Sequence, residues 1–175
     1  MTDRFVLSVL VNNQFGVLAR IAGLFARRGY NIDALTVAET ENPAFSRMTV
    51  VVGGDDYVLE QIVKQLMKQV YVRGVERLTQ KSAIFRELLL VKVESAPETR
   101  QDILALVGLF DARVTDWSEH ALTIELTDQP DIITALIDRL RVHPILEICR
   151  TGLTAIPRGD AVAVEGGRDG GSADR

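Results

Sequence analysis

Histidine, cysteine and paired carboxylates are the residue types from which a catalytic or metal centre is most often built. This chain sets few of them at useful spacing. His120 and His143 lie far apart, and neither has ligand spacing to a cysteine, a carboxylate or the other histidine. Both read as surface or turn histidines. Cys149 sits in the apolar run "ILEICRTG", alternating with core positions, and reads as a small buried hydrophobe rather than a nucleophile. Asp55 and Asp56 precede an apolar-periodic segment, where helix capping accounts for them; a cation site wants more carboxylates nearby. The chain has no phosphate-binding glycine loop, no dinucleotide fingerprint and no nucleophile elbow. No catalytic residue and no metal ligand is assigned.

What remains is a gathering of neutral amides and glycine in "VNNQFGVLARIAGLFARRGYNI", Val11 to Ile32. A strand ends at Asn12 and Asn13, "QF" forms the loop, and Gly16 opens a helix at Val17. The first N–H groups of a helix lack internal partners and sit at the positive end of its dipole, which suits a carboxylate. Gly16 has no Cβ to hold a ligand off the backbone. Asn13 offers a donor and an acceptor, Asn31 a second amide, and Ile32 an apolar wall. Together these describe a pocket for a small amino acid with an aliphatic side chain. The plainer reading makes the amides and glycine turn residues and Ile32 core.

The elements that must hold this corner follow from periodicity. "RFVLSVLVNN" reads as a buried strand. Val17, Leu18, Ile21, Leu24 and Phe25 form one helix face, and Gly29 after "ARR" ends that helix. "NIDALTVAET" and "SRMTVVVGG" read as strands joined by the turn "ENPAF". Val58, Leu59, Ile62, Val63 and Leu66 mark a second helix, and "VYVRGVERLT" a fourth strand with a bulge at Gly74. After the junction "QKSAIF" the pattern restarts. "RELLLVKVES", a helix opened by Pro97 and Glu98, "ARVTDWS", "ALTIELT", a helix over Asp128 to Leu140 and a single closing strand "ILEICRTGLTAI" repeat the order after about 80 residues. The expected fold is α+β: two tandem ferredoxin-like βαββαβ domains with antiparallel sheets and helices on one face. The expected boundaries are 1–80, 81–158 and a flexible tail over 159–175, which is rich in Gly, Asp and Arg.

The second half acts as an internal control. Its matching corner reads "ESAPETRQD", with no Asn and no Gly, and its second strand begins "ARVTD". The fold alone therefore does not require the amides of the first half. RNA-binding modules share this strand order, but "RFVLSVLV" and "SRMTVVVGG" lack a stacking platform. The formal net charge of −4 supplies no basic field for nucleic acid or anionic lipid. The chain has 175 residues, 47% hydrophobic and 25% charged, enough to bury a core without disulfides. A single cysteine, a first strand in place of a leader peptide and the lack of a long apolar run predict a cytoplasmic protein with no membrane span.

"LVNNQFGVLARIAGLFARRGYNIDALTVAET", with "SRMT" and "REL-LVKV" further on, resembles the small regulatory subunit of acetolactate synthase and its amino-acid-binding ACT domain. The resemblance covers roughly residues 3 to 158. It implies a non-catalytic subunit that pairs as a homodimer through its ACT domains and binds valine at their interface, with leucine or isoleucine also possible. Effector contacts would come from Asn13, Gly16, Val17 and Leu18 of one chain and from Asn31 and Ile32 of the other. Asn12 stands where the family often has an acidic residue, and Phe15 where it usually has a small polar one. The implied partner is the large catalytic subunit, which carries thiamine diphosphate, magnesium and FAD; the small subunit itself would hold no cofactor. It would raise its partner's activity and make it sensitive to end product. The alternative is an ACT-type amino-acid sensor for another biosynthetic enzyme. A catalyst on tandem ferredoxin-like domains lacks any acid–base constellation.

Overall fold

The structure is a computed structural model that describes residues 3–161. The chain divides into two compact units. The first holds the described residues up to Ile84 and those from Leu153 onward; the second is Phe85–Gly152.

In the first unit the order is β1 (Asp3–Asn12), α1 (Val17–Arg28), β2 (Ile32–Glu39), β3 (Phe45–Gly54), α2 (Asp56–Met67) and β4 (Val72–Leu78). The sheet runs β2-β3-β1-β4, antiparallel throughout. Phe5, Leu7, Val9 and Val11 alternate along β1 and meet Met48, Val50 and Val52 of β3 beneath both helices. Val17, Ile21, Leu24 and Phe25 supply the α1 stripe, and Leu59, Ile62 and Leu66 that of α2. Asp55 caps α2 by accepting from Val58 N at 2.8 Å. The β1–β4 register shifts between Leu10 and Val11, which face Gly74 and Val72, so Arg73 is the bulged residue beside Gly74.

The second unit repeats the order with β5 (Ala83–Glu94), α3 (Arg100–Leu109), β6 (Arg113–Trp117), β7 (Ala121–Asp128), α4 (Pro130–Leu140) and β8 (Ile145–Arg150). Its strands lie in the order β6-β7-β5-β8. Leu89, Val91 and Val93 of β5 and Leu122, Ile124 and Leu126 of β7 pack under Ile103, Val107, Ile133, Leu136 and Leu140. The fold is therefore two tandem ferredoxin-like βαββαβ domains.

Four details differ from the sequence expectation. The closing strand is two strands, because Gly152 turns at φ 80° and Thr151 Oγ1 takes over as acceptor for Leu88 N. The later strand, β9 (Thr154–Pro157), belongs to the first unit, where Thr36 Oγ1 donates to Leu153 O at 2.9 Å. Next, α3 starts at Arg100 and not at Pro97; Thr99 and Arg100 both donate their N–H to Ala96 O, so Pro97 and Glu98 lie in a turn. Cys149 is exposed rather than buried. It pairs with Leu90, which alternates away from the core residues Leu89 and Val91, so the β8 register turns the thiol to the sheet face without helices. His143 does sit in a turn, donating its N–H to Leu140 O, yet it is buried. The tail expected over 159–175 lies, from residue 162 on, outside the described residues.

Candidate functional site

Gly16 takes φ 78° as the N-cap of α1, a left-handed conformation that favours glycine. Among the described residues no side chain caps this helix. Val17 N reaches Gln14 O at 3.3 Å and Arg20 N reaches Gly16 O at 3.0 Å. The N–H groups of Leu18 and Ala19 belong to the first turn, which has no helical acceptors of its own. Val17 buries its side chain in the core, so only its backbone is available; Leu18 is half exposed. Phe15, at the loop tip, is fully exposed.

Asn13 is held from two sides. Its Nδ2 donates to Glu39 Oε1 at 2.8 Å and to Pro43 O at 3.0 Å. Glu39 is a polar group at this corner that the sequence reading missed, since it lies 26 residues away from Asn13. Register brings it there: Glu39 of β2 and Val11 of β1 both face Ser46 of β3. Asn12 points elsewhere, accepting from the bulged Arg73 Nε at 2.7 Å.

Asn31 and Ile32 lie at the opposite end of β2 from Glu39. Ile32 faces Val52 and packs against the core, and Asn31 Nδ2 donates to Asp33 Oδ1 at 2.7 Å. At 8 residues β2 spans roughly 25 Å. A single chain thus gathers Asn13, Gly16, Val17, Leu18 and Glu39 at one corner and leaves Asn31 and Ile32 far from it. The Arg47 guanidinium donates to Ser8 Oγ at 3.1 Å on the strands between.

The equivalent corner of the second unit is closed. Arg100, in the first turn of α3, donates to Ser95 Oγ at 3.1 Å and to Glu119 O at 2.7 Å, so a guanidinium ties the loop to the hairpin. A shallow cleft of about 330 Å³ beside it is lined by Glu94, Pro97, His120 and Leu146. Among the described residues no group of three His, Cys, Asp or Glu could hold a metal ion, and no helix is long and apolar enough to cross a membrane.

Residues 7–73 match the family described as an AHAS small subunit-like ACT domain, and residues 86–159 the one described as the small subunit of acetolactate synthase. A probable acetolactate synthase small subunit of Archaeoglobus fulgidus is 46% identical over 157 residues, covering 90% of this chain and 98% of that one. The chain belongs to the acetolactate synthase small-subunit family. The isozyme 3 small subunit of Salmonella typhimurium is another member, 41% identical over 160 residues, covering 91% of this chain and 98% of its own. The acetolactate synthase small subunit of Thermotoga maritima, solved by crystallography, superimposes with a TM-score of 0.84 at 38% identity over 91% of this chain and 99% of that one. The two family matches between them span both halves of the repeat.

Proposed function

We propose that this chain is the regulatory subunit of a cytoplasmic acetolactate synthase. It activates the large catalytic subunit, which holds thiamine diphosphate, magnesium and FAD, and it conveys feedback inhibition by valine. Within it, 1–80 is the effector-binding domain, and the second domain of 81–158 has its body in the second unit, Phe85–Gly152. The observation that carries the reading is the uncapped helix N-terminus at Gly16 lying at the same corner as the C-terminal end of an edge strand, β2.

Two copies of β2 pairing antiparallel would set the start of one beside the end of the other. Asn31 and Ile32 of the partner subunit would then approach Asn13, Gly16 and Leu18, closing a pocket that one chain leaves open. The edge strands support the choice. β2 keeps regular register with β3 from Ala34 to Glu39 and exposes Val37. By contrast β6 has 5 residues, a register shift after Val114, and the charges of Arg113 and Asp116, all of which discourage pairing.

A ligand that touches both chains must bias their relative position. Valine therefore tightens the interface and shifts the complex toward a less active arrangement, a coupling of about 1–3 kcal/mol. Leucine and isoleucine differ from valine by a single methylene, worth only about 1–3 kcal/mol in such a pocket. Reconstitution tests the function. Adding this chain to the catalytic subunit should raise acetolactate formation, and valine should then lower it. A catalytic subunit indifferent to the chain contradicts the reading.

A further inference from the structure

The hydrogen bonds around Asn13 fix which way its amide faces. Both N–H groups of Nδ2 are committed, one to the Glu39 carboxylate and one to the Pro43 carbonyl. Each partner is an acceptor only, so exchanging the amide oxygen and nitrogen would set oxygen against oxygen. Asn13 therefore presents Oδ1 alone to a ligand, and Oδ1 has no partner among the described residues. Beside it stands Glu39, exposed, with a second carboxylate oxygen to spare.

The corner is thus polarised. On the helix side, the first-turn N–H groups of α1 can only donate. On the strand side, Asn13 Oδ1 and Glu39 can only accept. A bare carboxylate satisfies the first side and is repelled by the second. An α-amino acid satisfies both, because its ammonium is attached next to its carboxylate.

We infer that Glu39, together with Asn13 Oδ1, is the ammonium-recognising half of the effector site, so that the site takes α-amino acids and rejects the oxo acids of the same carbon skeleton. The inference rests on the effector reading above and adds a residue and a selectivity to it. Glu39 positions Asn13 and also contacts the ligand. The helix N-terminus gives affinity for a carboxylate in general; Glu39 makes the affinity depend on the ammonium.

The test is calorimetric titration of the full chain with valine and with α-ketoisovalerate, its oxo acid, beside a Glu39→Gln variant. Glutamine keeps an acceptor oxygen for Asn13, and the exposed position leaves the core untouched; circular dichroism checks that the variant is folded. The native chain should bind valine and take α-ketoisovalerate roughly 10- to 100-fold more weakly, the worth of one charge-assisted contact. Glu39→Gln should erase most of that difference by weakening valine alone. Equal affinity of the native chain for valine and the oxo acid overturns the inference. Unchanged valine affinity in Glu39→Gln overturns it too, while leaving the effector reading in place. A native chain that binds neither ligand, alone or with the catalytic subunit, defeats the effector reading and the inference with it.

Discussion

Arg150 donates two hydrogen bonds, both 2.7 Å long, to the two carboxylate oxygens of Glu87, a side chain only 6% exposed. This bidentate pair joins β8 to β5 near the end of the second unit's sheet. The hydrogen bond to Glu87 raises the Arg150 pKa above its ordinary value, against the opposing effect of partial burial.

Removing one partner should cost more than removing both. Arg150→Ala leaves a buried carboxylate uncompensated, which costs 3–5 kcal/mol in fully buried pairs; with Arg150 itself 35% exposed, about 2 kcal/mol is expected. Arg150→Met with Glu87→Leu should recover most of the loss. Thermal unfolding of the two variants checks both values. A folded pKa raised above the unfolded one means that stability from the pair is fully present below the unfolded value, which for a guanidinium is already strongly alkaline, and fades only as pH rises through the folded value. This arginine should therefore add no pH dependence to the melting temperature between neutral and mildly alkaline pH.

Gly16→Ala tests the helix entry. The added Cβ would meet nothing within 4 Å, so any penalty comes from holding alanine at φ 78° rather than from a clash. A loss of about 1–2 kcal/mol is expected. Chemical denaturation measures it, and no loss would mean that the loop relaxes to another entry.

Val37→Asp tests the edge. Val37 is 40% exposed on a strand with one free side, where a carboxylate opposes pairing with a second copy. Sedimentation should show monomer in place of dimer, and valine affinity should fall with it. A monomer that binds valine as tightly as the dimer would remove the two-chain pocket from the account.

Asp55→Ala tests a feature far from the corner. Loss of the 2.8 Å cap on Val58 N should destabilise α2 by about 1 kcal/mol and leave effector affinity unchanged. Unfolding and titration of the same preparation separate the two effects.

The sequence was informative where its signal is local. Alternation along Phe5, Leu7, Val9 and Val11 and the stripe Val17, Ile21, Leu24 and Phe25 mark the elements, and Gly16 and Gly29 mark the ends of α1. It was uninformative where register decides. Cys149 lies in an apolar run, yet its pairing with Leu90 turns it outward. Glu39 joins Asn13 only because β1 and β2 both align on β3, a relation between residues 26 apart that no local pattern encodes. Gly152 reads as one more residue of a strand until its positive φ ends β8 and sends the chain back to the first unit.

The central claim is that the corner formed by Asn13, Gly16 and Leu18 is an amino-acid effector site. Calorimetric titration of valine into the native chain and into Asn13→Ala tests it most directly. The account predicts saturable heat from the native chain and its loss in the variant, with both proteins folded by circular dichroism. Equal binding by the two proteins would place the effector elsewhere and leave these amides as braces of a turn.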